Sequence, residues 1–170
     1  MKRKDENLMN GEIMNNTDRL IKISNALAFE TLDIVEMFEL SDVEISEEAV
    51  EHIFKDNGEK QIQYEMLEAF LNGIIVFNRG ERKLKPGEEK RKPMEIADPR
   101  STNNIVLKKL KIAFSLSSED MLNLIQSGGV VVSKDKLSAL FRKEGHKSYK
   151  YCKDIYVEGL LKALSEKTLI

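Results

Sequence analysis

The sequence predicts an all-α protein built from two pseudo-symmetric repeats of about four short helices each, packed as a bundle-like pair of lobes. Three observations predict it. Apolar residues recur at helical spacing through both halves of the chain. A turn, helix and loop beginning at Val130 has an earlier, degenerate copy beginning at Val43. All three prolines, Pro86, Pro93 and Pro99, fall in one basic segment between the halves. Two copies are too few for a solenoid, so the repeats are expected to bury their apolar faces on each other, through the fourth helix of each.

The elements follow in order. Residues 1–14 are polar and mixed in charge and read as a flexible N-terminal arm. Leu20, Ile23 and Leu27 open the first repeat, residues 15–78, with a helix starting near Asn16 or Thr17. Thr31 is the expected cap of a second helix carrying Ile34, Val35, Met37 and Phe38. Ser46 caps a third, with Val50, Ile53 and Phe54 on one face and Glu47 and Glu48 in its first turn, where the helix dipole favours acids. Asn57-Gly58 ends it. A fourth helix carries Met66, Leu67, Phe70, Leu71, Ile74 and Ile75. Residues 79–102 form a basic, proline-containing linker, and residues 103–170 the second repeat.

There the pattern restarts. Asn103-Asn104 echoes Asn15-Asn16, and Leu107, Leu110 and Phe114 answer Leu20, Ile23 and Leu27. Val130, Val132 and Ser133 match Val43, Ile45 and Ser46; Leu137, Leu140 and Phe141 match Val50, Ile53 and Phe54. The register shifts by about three residues in the following loop, after which Glu158 and Leu161 answer Glu68 and Leu71. The pair Gly128-Gly129 is expected to end the sixth helix with a left-handed residue, and it lacks the strand and spacing of a phosphate-binding fingerprint.

Composition narrows the function classes. Apolar residues make up 41% of the chain, enough for a core, and charged residues 33%. Aromatic residues are 6% and Trp is absent, which argues against an aromatic ligand platform. No apolar run reaches membrane-spanning length, and Met1-Lys2-Arg3-Lys4 is followed by Asp5, Glu6 and Asn7 where a signal peptide needs apolar residues. A single cysteine, Cys152, fits a reducing compartment, and the expected location is cytoplasmic. The net charge of −2 hides an asymmetry: residues 15–78 hold 14 acids and 4 bases, residues 103–170 hold 7 acids and 12 bases.

Catalytic chemistry finds no adequate motif. Cys152 lies near His146 in sequence but has no orienting third group, and a buried packing role suits it better. Two histidines and one cysteine fall short of a zinc pattern, and Asp42, Glu44, Glu47 and Glu48 lack the spacing of a calcium loop. No metal and no cofactor is expected. The basic, tyrosine-interleaved stretch is the candidate site: Lys134, Lys136, Arg142, Lys143, His146, Lys147 and Tyr149 are of a type to neutralise phosphates and stack on bases. Its helix-turn-helix character is loose, because the connection from Ser127 to Val132 is long.

The run Leu137-Ser138-Ala139-Leu140-Phe141-Arg142-Lys143, then Gly145-His146-Lys147, Tyr149 and Cys152, resembles the YehS-like family, bacterial proteins with two copies of a domain of unknown function. Asn103-Asn104-Ile105 with Leu107-Lys108-Lys109-Leu110, and Phe70-Leu71 with Gly73-Ile74-Ile75, also resemble it, over residues 15 to 164. The resemblance implies a small, cytoplasmic, all-helical protein and carries over no catalytic residue. This chain departs from the family pattern at Glu144, where Pro is usual, at Ser41-Asp42, where Gly-Gly is usual, and in a first-repeat loop without Cys.

The expected function is a non-enzymatic interaction or regulatory module. Its basic second repeat would contact nucleic acid or an acidic protein, and its acidic first repeat a basic protein, with no membrane partner. The alternative is a homo-oligomeric scaffold that pairs acidic and basic lobes.

Overall fold

The computed structural model describes residues 13–80, 83–88 and 94–168; the expected N-terminal arm lies outside them up to residue 12. Among the described residues the chain is all-helical, as its periodicity predicts. The first repeat comprises α1 (Asn16–Ala26), α2 (Thr31–Leu40), α3 (Glu47–Asp56) and α4 (Tyr64–Arg79). A 3-10 turn, Pro99–Ser101, leads into α5 (Thr102–Ala113), α6 (Ser118–Ser127), α7 (Lys134–Leu140) and α8 (Asp154–Thr168).

The helix starts follow from their caps. Ser46 and Ser133 accept hydrogen bonds from the N–H groups of Ala49 and Lys136, each at 3.1 Å, which sets α3 and α7 in the same relation to their preceding turns. Asn15 and Asp18 form a capping box on α1. At α2 the expectation is corrected: Thr31 is the first helical residue and Glu30 the cap, because Asp33 reaches back to the Glu30 N–H at 2.8 Å.

The duplication is written in the backbone as well. Left-handed residues recur in pairs 87 positions apart: Ala28 and Ser115 (φ 57° and 53°), Asp42 and Gly129 (61° and 90°), Gly58 and Gly145 (84° and 95°). Gly129 therefore ends α6 as expected, and Asp42 takes the same strained conformation with a side chain present. Gly128 has a different reason for being glycine. Its φ is −75°, and a Cβ there would lie 2.0 Å from the Gly159 carbonyl oxygen, so it lets α6 and α8 touch backbone to backbone. In the first repeat the equivalent Ser41 donates its hydroxyl to the Ala69 carbonyl at 2.6 Å.

Within each repeat the second helix packs on the fourth, α2 on α4 and α6 on α8. The first core is aromatic, with Phe38 and Phe70 stacked at 5.9 Å and Phe29 edge-on to Phe70. The second is aliphatic, built on Met121, Ile125, Val157, Leu160 and Leu164. Between repeats the fourth helices carry the interface, but each meets the first helix of the other repeat: α4 lies on α5, and α8 on α1. This crosswise arrangement replaces the expected meeting of the two fourth helices. It buries the apolar face of α1 (Leu20, Ile23) and of α5 (Val106, Leu107, Leu110) between two fourth helices rather than leaving one side to solvent.

Two pseudo-symmetric ion pairs lie across these contacts. Lys109 on α5 stands 3.7 Å from Glu68 on α4, both side chains 3% exposed. Lys22 on α1 stands 3.1 Å from Glu158 on α8, with 42% and 41% exposure. The difference comes from the linker. Residues 94–98 run over the first pair, and the N–H groups of Glu95 and Ile96 both donate to the Glu68 carboxylate.

Candidate functional site

α7 is a short helix with Leu137 and Leu140 buried against the second repeat. Helical spacing then forces Lys134, Asp135, Lys136 and Ser138 outward, and all four are exposed. The chain leaves α7 through Phe141, turns at Gly145 (φ 95°) and returns to the core at Cys152. Arg142, Lys143, His146, Lys147 and Lys150 are exposed along this loop, and Tyr149 is half-buried.

One buried residue of α5 holds both ends of the loop. The Asn104 side chain donates to the carbonyls of Leu140 (3.0 Å) and Lys150 (2.8 Å) and accepts from the Cys152 N–H (3.0 Å). Thr17 does the same work in the first repeat, donating to the Lys60 carbonyl at 2.8 Å and accepting from the Ile62 N–H at 2.9 Å. Asn104 thus corresponds to Thr17, and Asn103 to Asn16, which shifts the Asn-Asn echo of the sequence by one residue. Within the loop, the Ser148 N–H donates to His146 Nδ1 at 3.0 Å and the Lys150 N–H donates to the Ala139 carbonyl at 3.2 Å.

The tyrosines form the rim. Tyr149 and Tyr151 meet edge to face at 5.3 Å, and the Arg100 guanidinium lies 4.9 Å over the Tyr151 ring while also pairing with Asp98 at 2.8 Å. Burial raises the Tyr149 hydroxyl to about 12, so it is a neutral hydrogen-bonding group at physiological pH. Asp98 is held below the usual carboxylate range by its hydrogen bonds from Arg100.

All seven residues singled out from sequence therefore lie on one helix and loop, six of them exposed. Among the described residues, none of Lys134, Lys136, Arg142, Lys143, Lys147 or Lys150 forms an ion pair. Sequence reading did not single out Arg100 or Asn104. The Asn-Asn echo was the available signal for Asn104; Arg100 is brought to Tyr151 only by the 3-10 turn.

Cys152 is 5% exposed, its thiol pushed up by burial and by the Asp154 carboxylate, and it faces the core while His146 faces solvent. The two do not form a nucleophile and base. Among the described residues no three of His, Cys, Asp and Glu cluster so as to hold a metal ion, and no helix is long and apolar enough to cross a membrane. What the surface can do chemically is attract and hydrogen-bond anions.

Comparison with known proteins agrees with the repeat structure. A family described as "Protein of unknown function (DUF1456)" matches residues 15–80 and again residues 103–168. The uncharacterized protein YehS of Escherichia coli (strain K12) is 29% identical over 163 residues, which covers 94% of this chain and 96% of that protein. No solved structure matches the chain. Each matched copy begins within one residue of the start of a repeat's first helix and runs to the end of its fourth, and on that evidence the chain belongs to the YehS-like family of proteins of unknown function.

Proposed function

We propose that this protein is a non-enzymatic binding module whose second repeat contacts a phosphate-bearing polyanion, with nucleic acid the partner class its chemistry fits best. The observation that carries this reading is the set of six exposed cations on α7 and its exit loop, unpaired among the described residues. Where the second repeat has Lys134, Ser138 and Lys143, the first has Glu47, Glu51 and Asp56 on the same scaffold. The shared apolar positions serve the fold, and the basic side chains that replace acids in the second repeat make no ion pair among the described residues, which supports a role in binding an anionic ligand. Tyr151 with Arg100 adds a flat face beside the cations on which a base can stack.

The test is retention of single- and double-stranded DNA and RNA across a salt series. Binding should weaken as salt rises, and Lys134→Glu with Arg142→Glu should lower the salt slope by about 2 without altering the unfolding midpoint. No retention of any nucleic acid at low ionic strength overturns the reading.

A second reading rests on α3, where Glu47, Glu48 and Glu51 are all exposed. Their charge complements α7, so copies of the chain could pair head to tail. Light scattering separates the two: self-association that dissolves with salt favours pairing, and a monomer at every concentration removes it.

A further inference from the structure

Beside the cations of α7 and its exit loop stands a feature of different chemistry. The 3-10 turn before α5 sets Arg100 at the surface, and the Asp98 carboxylate grips one edge of its guanidinium. Nη2 donates to Asp98 Oδ2 at 2.8 Å, and Nε donates to both carboxylate oxygens at 3.2 Å. The Arg100 main-chain N–H donates to Oδ1 at 2.9 Å. So held, the guanidinium carbon sits 4.9 Å over the Tyr151 ring, and Tyr149 braces Tyr151 edge to face at 5.3 Å. Asn104 fixes the main chain on both sides of Tyr151, through the Lys150 carbonyl and the Cys152 N–H. Three flat groups thus follow one another, Tyr149, Tyr151 and Arg100, and the side chain of the last is still 71% exposed.

The first repeat lacks this layered edge. The bonds of Thr17 and Asn104 align Lys60 with Lys150 and Ile62 with Cys152, so Tyr149 and Tyr151 answer Glu59 and Gln61. Arg100 answers Ile13 by the 87-residue register. There the loop closes differently, with Gln61 accepting from the Asn16 N–H at 3.0 Å. The edge is therefore particular to the repeat that carries the exposed cations.

Its charge is already met. Asp98 is bonded to Arg100, and the Glu144 carboxylate lies near enough to favour the cation further. A phosphate brought to Arg100 would face two carboxylates, whereas a neutral planar group would simply extend the stack. Phosphate-binding groups are close at hand. Lys147 and Lys150 lie within four residues of Tyr151 in the chain, a span of at most about 14 Å. Strandedness follows from the same geometry. A base inside a duplex is covered on both faces by its neighbours, so only an unpaired base can lie on a plane supplied from outside.

We propose that Arg100, held over Tyr151 by Asp98, is a stacking platform for an unpaired nucleobase, so that the second repeat takes single-stranded nucleic acid in preference to duplex. This rests on the phosphate-binding reading of the cations: Lys134, Arg142 and their neighbours hold the backbone, and Arg100 takes a base. Asp98 is a positioning residue that orients the plane.

The experiment is fluorescence anisotropy of the full-length chain with three labelled probes at one salt concentration. They are a single strand of about 12 nucleotides, the duplex of the same sequence, and an abasic strand with the same number of phosphates. The base-bearing single strand should bind about tenfold more tightly than either of the others. Arg100→Lys keeps the charge and loses the plane, and it should abolish that preference while leaving the duplex and abasic affinities as they were. Equal binding of base-bearing and abasic strands, or tighter binding of duplex, overturns the platform and leaves the phosphate reading standing. An undiminished preference in Arg100→Lys overturns it as well. No binding of any probe overturns both. The comparison of strands on the parent chain needs no variant, so it decides the matter even if Arg100→Lys fails to fold.

Discussion

Asn16 and Asn103, equivalent residues of the two repeats, are bridged by a single guanidinium: Arg19 donates Nη1 to Asn16 Oδ1 at 2.8 Å and Nε to Asn103 Oδ1 at 2.9 Å. Each asparagine also holds the loop of its own repeat, Asn16 through the Ile62 carbonyl at 3.2 Å and Asn103 through the Cys152 carbonyl at 3.1 Å. Arg19 is 6% exposed, and its counterpart by the 87-residue register is the buried Val106. The site lies between the equivalent residues, so one arginine serves both repeats and a second would have no room. Burial lowers the Arg19 pKa while Asp154 opposes that shift, which keeps the cation in place.

Replacing Arg19 with Met keeps the aliphatic stem but takes the donor from two buried amide oxygens. The expected loss is about 2–4 kcal/mol in urea unfolding. Arg19→Lys should recover less than half of it, because one ammonium cannot reproduce the planar fork that spans both oxygens. A Met variant within about 0.5 kcal/mol of the parent would show that the bridge does not hold the repeats together.

The glycines at the end of α6 should separate in severity. Gly128→Ala drives a Cβ to 2.0 Å from a carbonyl oxygen on α8, so two helices must part, and a loss of about 3 kcal/mol is expected. Gly129→Ala meets no atom within 4 Å and suffers only from its left-handed φ, a cost of about 1 kcal/mol. Thermal melts of the two variants decide it, and the reverse ranking would refute the close approach of α6 and α8.

Alkaline pH should act through Cys152. Its thiol is raised above the ordinary 9.0 by burial, so the folded chain keeps a proton that the unfolded chain releases. The contribution is whole below pH 9 and is lost as pH rises further. Stability should fall by up to about 1.4 kcal/mol per pH unit above that point, and Cys152→Ala should flatten the slope. Tyr149 adds a loss of the same sign as pH passes 10. Subtracting the variant's curve from the parent's isolates the thiol, and two parallel curves would exclude its burial.

The twin ion pairs give a paired measurement. Lys109→Met leaves the Glu68 carboxylate in a buried site and should cost about 3 kcal/mol. Lys22→Met removes an exposed pair and should cost about 0.5 kcal/mol. Equal costs would mean that residues 94–98 over Glu68 do not exclude water.

Much of the fold was legible in the chain because its signals are local or repeated. Helical spacing located the apolar faces, and Ser46 and Ser133 marked two helix starts through a bond that spans three residues. The cap of α2 was missed because Thr31 is an intrinsically better cap than Glu30, while Asp33 decides the position by bonding the Glu30 N–H. The candidate surface was legible in charge, and its exposure follows once Leu137 and Leu140 are turned inward. Thr17 and Asn104 escaped comparison because unlike side chains do one task, a donation and an acceptance to equivalent main-chain groups.

By itself, then, the sequence determined the all-helical class, the two repeats and which of them is basic, since these depend on residue type, period and local capping. Only the tertiary structure decided the crosswise pairing of fourth helices with first helices, the shared use of Arg19, and the burial of the Lys109–Glu68 pair while Lys22–Glu158 stays exposed. The physical reason is that a duplicated sequence encodes two equal lobes, whereas their interface belongs to neither. One guanidinium fits between two equivalent asparagines, and the described end of the linker, residues 94–98, runs over the Lys109–Glu68 pair.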